Sequence, residues 1–325
     1  VERSLNLLET KEQQPMKLGF SLSPNLLLDR PESSAEQRFA KYFGNSKSVL
    51  KQLKENGINS IEIRYLPMTV PDPDHARVCH VIWEAGLQLT VHGELDQLFQ
   101  GKHFVELYPS IQKIAARYAD YQDEFLIIVH AFSSKSKNGP LHGTERELAE
   151  RSVELLRSWI DKVSDDGLKL RFALELDHEY PGVVQPGRTP EGILRMLDQI
   201  GGSGAGITWD MGHYYSNLML HANLEQPPLA YLEPLPPESF LDKVIHTHIH
   251  GMGIKGAHYP MNRPESLPLE RYVQALAAAG YTGVYNLELT LSRLSESGMA
   301  DELFGTIERL RNAVSAACIV NGGST

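Results

Sequence analysis

The stretch VIHTHIHG, residues 244–251, sets histidines at 246, 248 and 250. In an extended strand alternate side chains share a face, so the three imidazoles look one way. On a helix they would scatter. Such a row offers nitrogen ligands to a metal or bases to a substrate. A His-rich surface strand would show the same spacing, so the rest of the chain has to decide.

Ionisable residues also close six of the seven other candidate strands. The second carries Glu62 and Arg64, the third ends at His92 and the fourth at His130. Glu175 closes the fifth, Asp210 the sixth with His213 just beyond, and Glu288 the eighth. Alternation turns the acids inward: Ala173 and Glu175 alternate with Phe172, Leu174 and Leu176, and Asn286 and Glu288 with Leu287 and Leu289. A lone inward carboxylate is costly unless paired or bound to a cation. Glu175, Asp210, His248 and Glu288 therefore read as ligands of one shared divalent metal. Taken singly, each has a plainer reading. Asp210 could cap the turn through the amides of Gly212 or His213, Glu288 could pair with Arg64, and His92 or His130 could be hydrogen-bonded core histidines. Carboxylate oxygens with one imidazole and no sulfur suit Mn²⁺, the expected ion, and equally Mg²⁺, Co²⁺ or Zn²⁺.

The elements that must position these residues follow a repeat of about forty residues: strand, loop, helix, turn. Strands are expected at 17–23, 59–66, 87–93, 124–132, 168–177, 206–212, 243–251 and 284–290. Helices are expected at 34–57, 72–86, 104–121, 144–167, 189–202, 268–280 and 299–317, with the Pro-rich 221–240 as a loop holding a short helix. Eight such units suit a closed α/β barrel, the (β/α)₈ TIM barrel, which places its site at the C-terminal strand ends. An open doubly wound sheet more often shows a Gly-rich phosphate turn after its first strand, and KLGFSLSPN is not one.

The bulk properties fit this reading. The chain has 325 residues, 42% apolar and 22% charged, within the range of one barrel domain. Residues 1–15 are polar and stand apart as an N-terminal extension or remnant; the barrel is assigned to 16–325. The net charge of −10 argues against a nucleic-acid partner, which calls for a basic footprint. Two distant cysteines, Cys79 and Cys318, suggest no disulfide framework, and the cytosol is the expected compartment. No apolar run approaches the roughly 20 residues that span a bilayer.

ALELD (173–177), TPEGILRMLDQIG (189–201), GITWDMGH (206–213), HTHIHG (246–251) and YNLEL (285–289) together resemble the xylose isomerase-like TIM barrels. That superfamily includes sugar isomerases and epimerases, inositol-pathway enzymes and endonuclease IV. The resemblance runs from about Met16 to Ala317 and is strongest from strand five onward. It implies that Glu175, Asp210, His248 and Glu288 bind the metal. It also implies that Glu175 and Glu288 exchange protons with a sugar through a metal-stabilised enediolate. His213 matches a histidine that binds substrate oxygens in the epimerases and a metal in the endonuclease. The family usually writes His-x-Lys-Asp on strand seven; here the run is His248-Ile249-His250-Gly251, and His250 is expected to replace the lysine as donor or base.

The expected activity is isomerisation or epimerisation of a sugar or sugar derivative. A lyase using the same enolate chemistry is the near alternative, with His92, His130 and His250 as acids or bases. The endonuclease reading would use His92, His130, His213 and His258, but Gly256 stands where the family's third metal site has aspartate. A non-catalytic, metal-stabilised subunit is the third reading. Around the substrate, His92, His130, His213, Arg64 and Lys255 are expected to give polar contacts, and Trp209, with Tyr214, Tyr215 and Phe132, apolar walls. No phosphate cradle is visible, so an unphosphorylated sugar or glycoside derivative is expected, with a homo-oligomer or partner subunit as a further expectation.

Overall fold

The computed structural model describes residues 16–64, 72–93, 112, 115–116, 122, 124–135, 142–224, 234–253, 256–261 and 266–322. Eight parallel strands close into one barrel: β1 (Leu18–Leu22), β2 (Ser60–Arg64), β3 (Gln88–His92), β4 (Phe125–Val129), β5 (Leu170–Glu175), β6 (Ala205–Asp210), β7 (Val244–Ile249) and β10 (Val284–Leu287), with β10 hydrogen-bonded to β1. Two short antiparallel strands, β8 (Gly251–Gly253) and β9 (Gly256–Tyr259), follow β7 and were not foreseen. All eight expected barrel strands form. Ends differ by at most three residues, as frayed strand ends do.

Sequence signals set the helix starts. Ser33 and Glu36 form a reciprocal capping box before Ser34–Phe43, and Thr144 with Glu147 does the same before Glu145–Asp165. Thr189 caps Pro190–Ile200, with Pro190 at the first turn. The expected helix at 34–57 is two helices, Ser34–Phe43 and Ser46–Glu55, because Gly44 takes a left-handed backbone (φ 88) and Asn45 caps the second. The helix Met211–His221 was not expected at all. Its residues are mostly buried, so it lacks the polar face that betrays a surface helix. The expected helix at 104–121 lies almost wholly outside the described residues.

Two cores result. The large one fills the space between barrel and helices, with Phe20, Phe172, Trp209 and Leu287 facing outward from the strands. Inside the barrel the apolar cluster is small: Leu126, Ile128 and Ala173, with Ile245 against it. The remaining interior is polar and buried, including Ser21, Glu62, Thr90, Thr208, His246 and Asn286. Such barrels are ordinarily filled by branched apolar residues, so this interior is organised around charge. A register shift where β6 meets β7 pairs Ile207 with Val244 and Thr208 with His246, leaving Ile245 as the extra residue of a β-bulge. The bulge sets the phase in which His246 and His248 face the barrel axis.

Candidate metal centre and active site

Glu175, Asp210, His248 and Glu288 converge at the C-terminal strand ends, each buried, and offer ligand atoms that all lie within 4.8 Å of one another. Glu175 Oε1 stands 3.1 Å from His248 Nδ1, and Glu288 Oε2 stands 3.4 Å from it. Neither His248 Nδ1 nor Glu288 Oε2 makes a hydrogen bond, although both are sealed from solvent. Buried polar atoms are rarely left so. The donor set therefore fits a divalent cation: three carboxylates, one imidazole and two orphaned ligand atoms facing each other.

Each ligand is held from behind. His248 Nε2 lies 2.9 Å from Glu62 Oε2, which leaves Nδ1 facing the cluster. Glu175 Oε2 lies 2.9 Å from His92 Nε2 and 3.3 Å from His130 Nε2. Asp210 Oδ1 accepts the His213 amide at 2.6 Å, and Asp210 Oδ2 lies 3.2 Å from His250 Nε2. The other oxygen of Glu288 pairs with Arg64 Nη2. Both plain readings of Asp210 and Glu288, a helix cap and an ion pair, are thus realised in the same residues that converge on the cluster.

Electrostatics keeps the acids ionised. Burial opposes charge on Glu175, yet His130 and His248 hold its pKa well below the usual carboxylate range. Burial likewise opposes charge on Glu288, where Arg64 and His248 prevail, and on Asp210, where His213 and His250 do. Around His248, burial is overcome by Glu175, Glu62 and Glu288, which raise its pKa well above normal. A divalent ion would take the place of that proton. His258, by contrast, is pushed down to about 3 by burial and by His250, and stays neutral.

The family model of the xylose isomerase-like TIM barrel matches residues 50–310. The chain belongs to this family. Among proteins similar in sequence, the uncharacterized protein MJ1188 of Methanocaldococcus jannaschii is 30% identical over 112 residues, which is 34% of this chain and 40% of that protein. The uncharacterized protein MJ1311 of the same organism is 27% identical over 143 residues, 44% of each chain. The chain therefore matches less than half the length of these relatives. Among solved structures, the 3-keto-D-glucoside 4-epimerase YcjR from E. coli has a TM-score of 0.60 at 18% identity, covering 92% of this chain and all of that one. D-psicose 3-epimerase from Clostridium cellulolyticum H10, solved with D-tagatose, also has a TM-score of 0.60, at 15% identity, covering 91% of this chain and 99% of that one. A xylose isomerase-like TIM barrel protein from Mycobacterium smegmatis, solved with magnesium, has 0.59 at 13% identity, covering 93% of this chain and 98% of that one. At these identities the likeness is one of fold.

Within this family fold the other expected site residues fall into distinct places. His92 and His130 stand beside Glu175, and His130, 27% exposed, is the more open of the two. His213 lies 3.3 Å from Asp210 Oδ2 and donates through Nδ1 to the Leu176 carbonyl. Arg64 reaches Glu288. Lys255 lies outside the described residues. Trp209 corrects the expectation of an apolar substrate wall: it follows Thr208 and precedes Asp210, so it points out of the barrel and packs on Tyr214, Phe240 and Tyr272. Tyr214, Tyr215 and Phe132 are likewise part of the outer core.

His250 also differs from expectation. It is fully buried, its Nδ1 accepts the His258 amide at 3.0 Å, and its Nε2 faces Asp210. Both nitrogens are engaged within the protein, so it braces Asp210 rather than standing in the substrate's path. His258 reaches it through a left-handed backbone (φ 63), uncommon for a residue with a Cβ. Residue-by-residue reading missed two participants. Asp177 Oδ1 stands 2.5 Å from His130 Nδ1 and orients that ring. Asp177 lies two residues past Glu175, and that spacing was its one signal. Glu62 was noted as a strand-end acid without a role.

Proposed function

We propose that the protein is a divalent-metal-dependent isomerase or epimerase acting on a keto-sugar or keto-glycoside. The observation that carries this reading is the convergence of two glutamates from opposite parts of the chain, Glu175 and Glu288, on one buried cluster with Asp210 and His248. A divalent ion held there would polarise a carbonyl and the neighbouring hydroxyl, acidifying the hydrogen on the carbon between them. Glu175 and Glu288 are the two carboxylates proposed to take that proton and return one on the other face. The ionised state suits the glutamate that takes the proton, and the one that returns a proton carries it when substrate is bound. Arg64 on Glu288 and His92 and His130 on Glu175 would stabilise whichever carboxylate is ionised at each stage. The sugar epimerases among the fold neighbours support the same substrate class. The ion is proposed to be Mn²⁺, with Mg²⁺, Co²⁺ and Zn²⁺ able to use the same oxygen and nitrogen donors.

Proton exchange tests this directly. The purified chain, loaded with Mn²⁺, is incubated with ketohexoses and 3-ketoglucosides in D₂O. Deuterium should enter at a carbon next to the carbonyl of one substrate, and an epimer or isomer should accumulate in step. A metal-loaded chain that exchanges no carbon-bound hydrogen in any of them would reject the proposal.

A further inference from the structure

Of the three histidines on and just beyond β7, only His248 belongs to the four-residue cluster. The reason for its neighbour His246 lies beneath it, at Glu62. That carboxylate is fully buried on β2, and its register partner on β1 is Ser21. Its Oε1 accepts the Ser21 hydroxyl at 2.8 Å. Ser21 in turn accepts the Asn286 side-chain amide at 2.9 Å, which commits the hydroxyl proton to Glu62. The other oxygen, Oε2, stands 2.9 Å from both His246 Nε2 and His248 Nε2. A carboxylate surrounded by three donors acts only as an acceptor, so both ring nitrogens carry their protons toward it. In a neutral imidazole that leaves the lone pair on Nδ1. For His248, Nδ1 is the atom between Glu175 and Glu288.

We propose that Glu62 is a positioning residue of the metal centre: it fixes the tautomer and ring angle of His248, with His246 as the brace that holds the Glu62 carboxylate in place. The proposal rests on the metal-centre reading above. Carboxylates behind a ligating histidine raise its basicity and fix its orientation, and losing them typically lowers metal affinity 10–100-fold. Here the device is buried at the barrel axis, and one oxygen serves two rings, so a shift of Glu62 would release both.

The experiment uses the full chain as wild type, Glu62→Gln and His246→Gln, stripped of metal and titrated with Mn²⁺ by calorimetry. Glu62→Gln should weaken Mn²⁺ roughly 10–100-fold, and His246→Gln should weaken it by less. Long-range ¹H–¹⁵N spectra of the Zn²⁺-loaded, ¹⁵N-histidine-labelled protein should show His248 protonated at Nε2 in wild type and lose that signature in Glu62→Gln. A purely structural role would lower the unfolding midpoint of the metal-free variant yet leave the affinity of the folded protein and the tautomer unchanged; that result overturns the proposal. If Glu62→Gln does not fold, an unchanged affinity in His246→Gln overturns it instead. A folded wild type that binds no Mn²⁺ overturns the metal-centre reading itself, whereas a wild type that binds and a Glu62→Gln variant that binds equally overturn only this inference.

Discussion

Glu175→Gln should leave the protein folded, unable to hold a divalent ion, and slower in turnover by at least roughly 10⁴-fold, since it removes a metal ligand and a proton-transferring group together. Glutamine keeps the size and loses the charge. Glu175 faces His92, His130, His213 and His248, so its charge meets more of the site's histidines than that of Asp210 or Glu288. Its repulsion of Asp210 and Glu288 opposes their charge only weakly, and the pKa of each stays below the ordinary carboxylate range. The depressed pKa of Glu175 means that its charge stabilises the fold at neutral pH, so the metal-free variant should be less stable than metal-free wild type. The gap should widen when Mn²⁺ is added. An ion at 100 times its dissociation constant stabilises wild type by about 2.7 kcal/mol, while the variant should not respond. Thermal unfolding with and without Mn²⁺ reads both effects. A variant that is stabilised like wild type would remove Glu175 from the centre.

Gly212→Ala should destabilise the protein by about 1–3 kcal/mol, the range of an overpacked core, and weaken metal binding at least roughly 10-fold through the displaced brace. The sign is the informative part. In an exposed helix interior, replacing glycine by alanine stabilises by about 1 kcal/mol. Gly212 lies in the first turn of the helix Met211–His221, where an added Cβ would stand 2.0 Å from Cε1, 2.2 Å from Nδ1 and 2.5 Å from Nε2 of His250. That ring cannot yield cheaply: it is buried, accepts the His258 amide, and contacts Asp210. Moving it frees Asp210 from one of its supports. Chemical denaturation and Mn²⁺ titration of the variant check the prediction. Increased stability with unchanged affinity would show that His250 has room to move and does not brace the site.

The barrel was legible because its signals are local. Eight strand-length apolar runs alternate with helices marked by glycine stops and capping residues, and each signal is read within a few positions. The meeting of Glu175, Asp210, His248 and Glu288 was legible too, since a barrel brings its strand ends to one place whatever the details. The direction of Trp209 was available from the same alternation that placed Asp210, because neighbours on a strand face opposite ways. His250 was harder. The strand ends at Ile249 and a hairpin begins at Gly251, so alternation no longer governs residue 250. The helix after Asp210 was hidden by its burial. Glu62 could be seen as an inward acid, but its partners lie 184 and 186 positions away, and no local pattern names them. The bulge at Ile245 decides which face the histidines take, and it is set by how β6 and β7 pair.

Metal stoichiometry decides whether these residues form one metal centre. The chain is stripped, reconstituted with Mn²⁺, freed of excess ion and analysed for bound metal, beside His248→Ala treated in the same way. Wild type should hold about one ion per chain and the variant should lose it, as expected for four ligand residues around one centre. A folded wild-type chain that retains no divalent ion, or a His248→Ala variant that retains it undiminished, would contradict it.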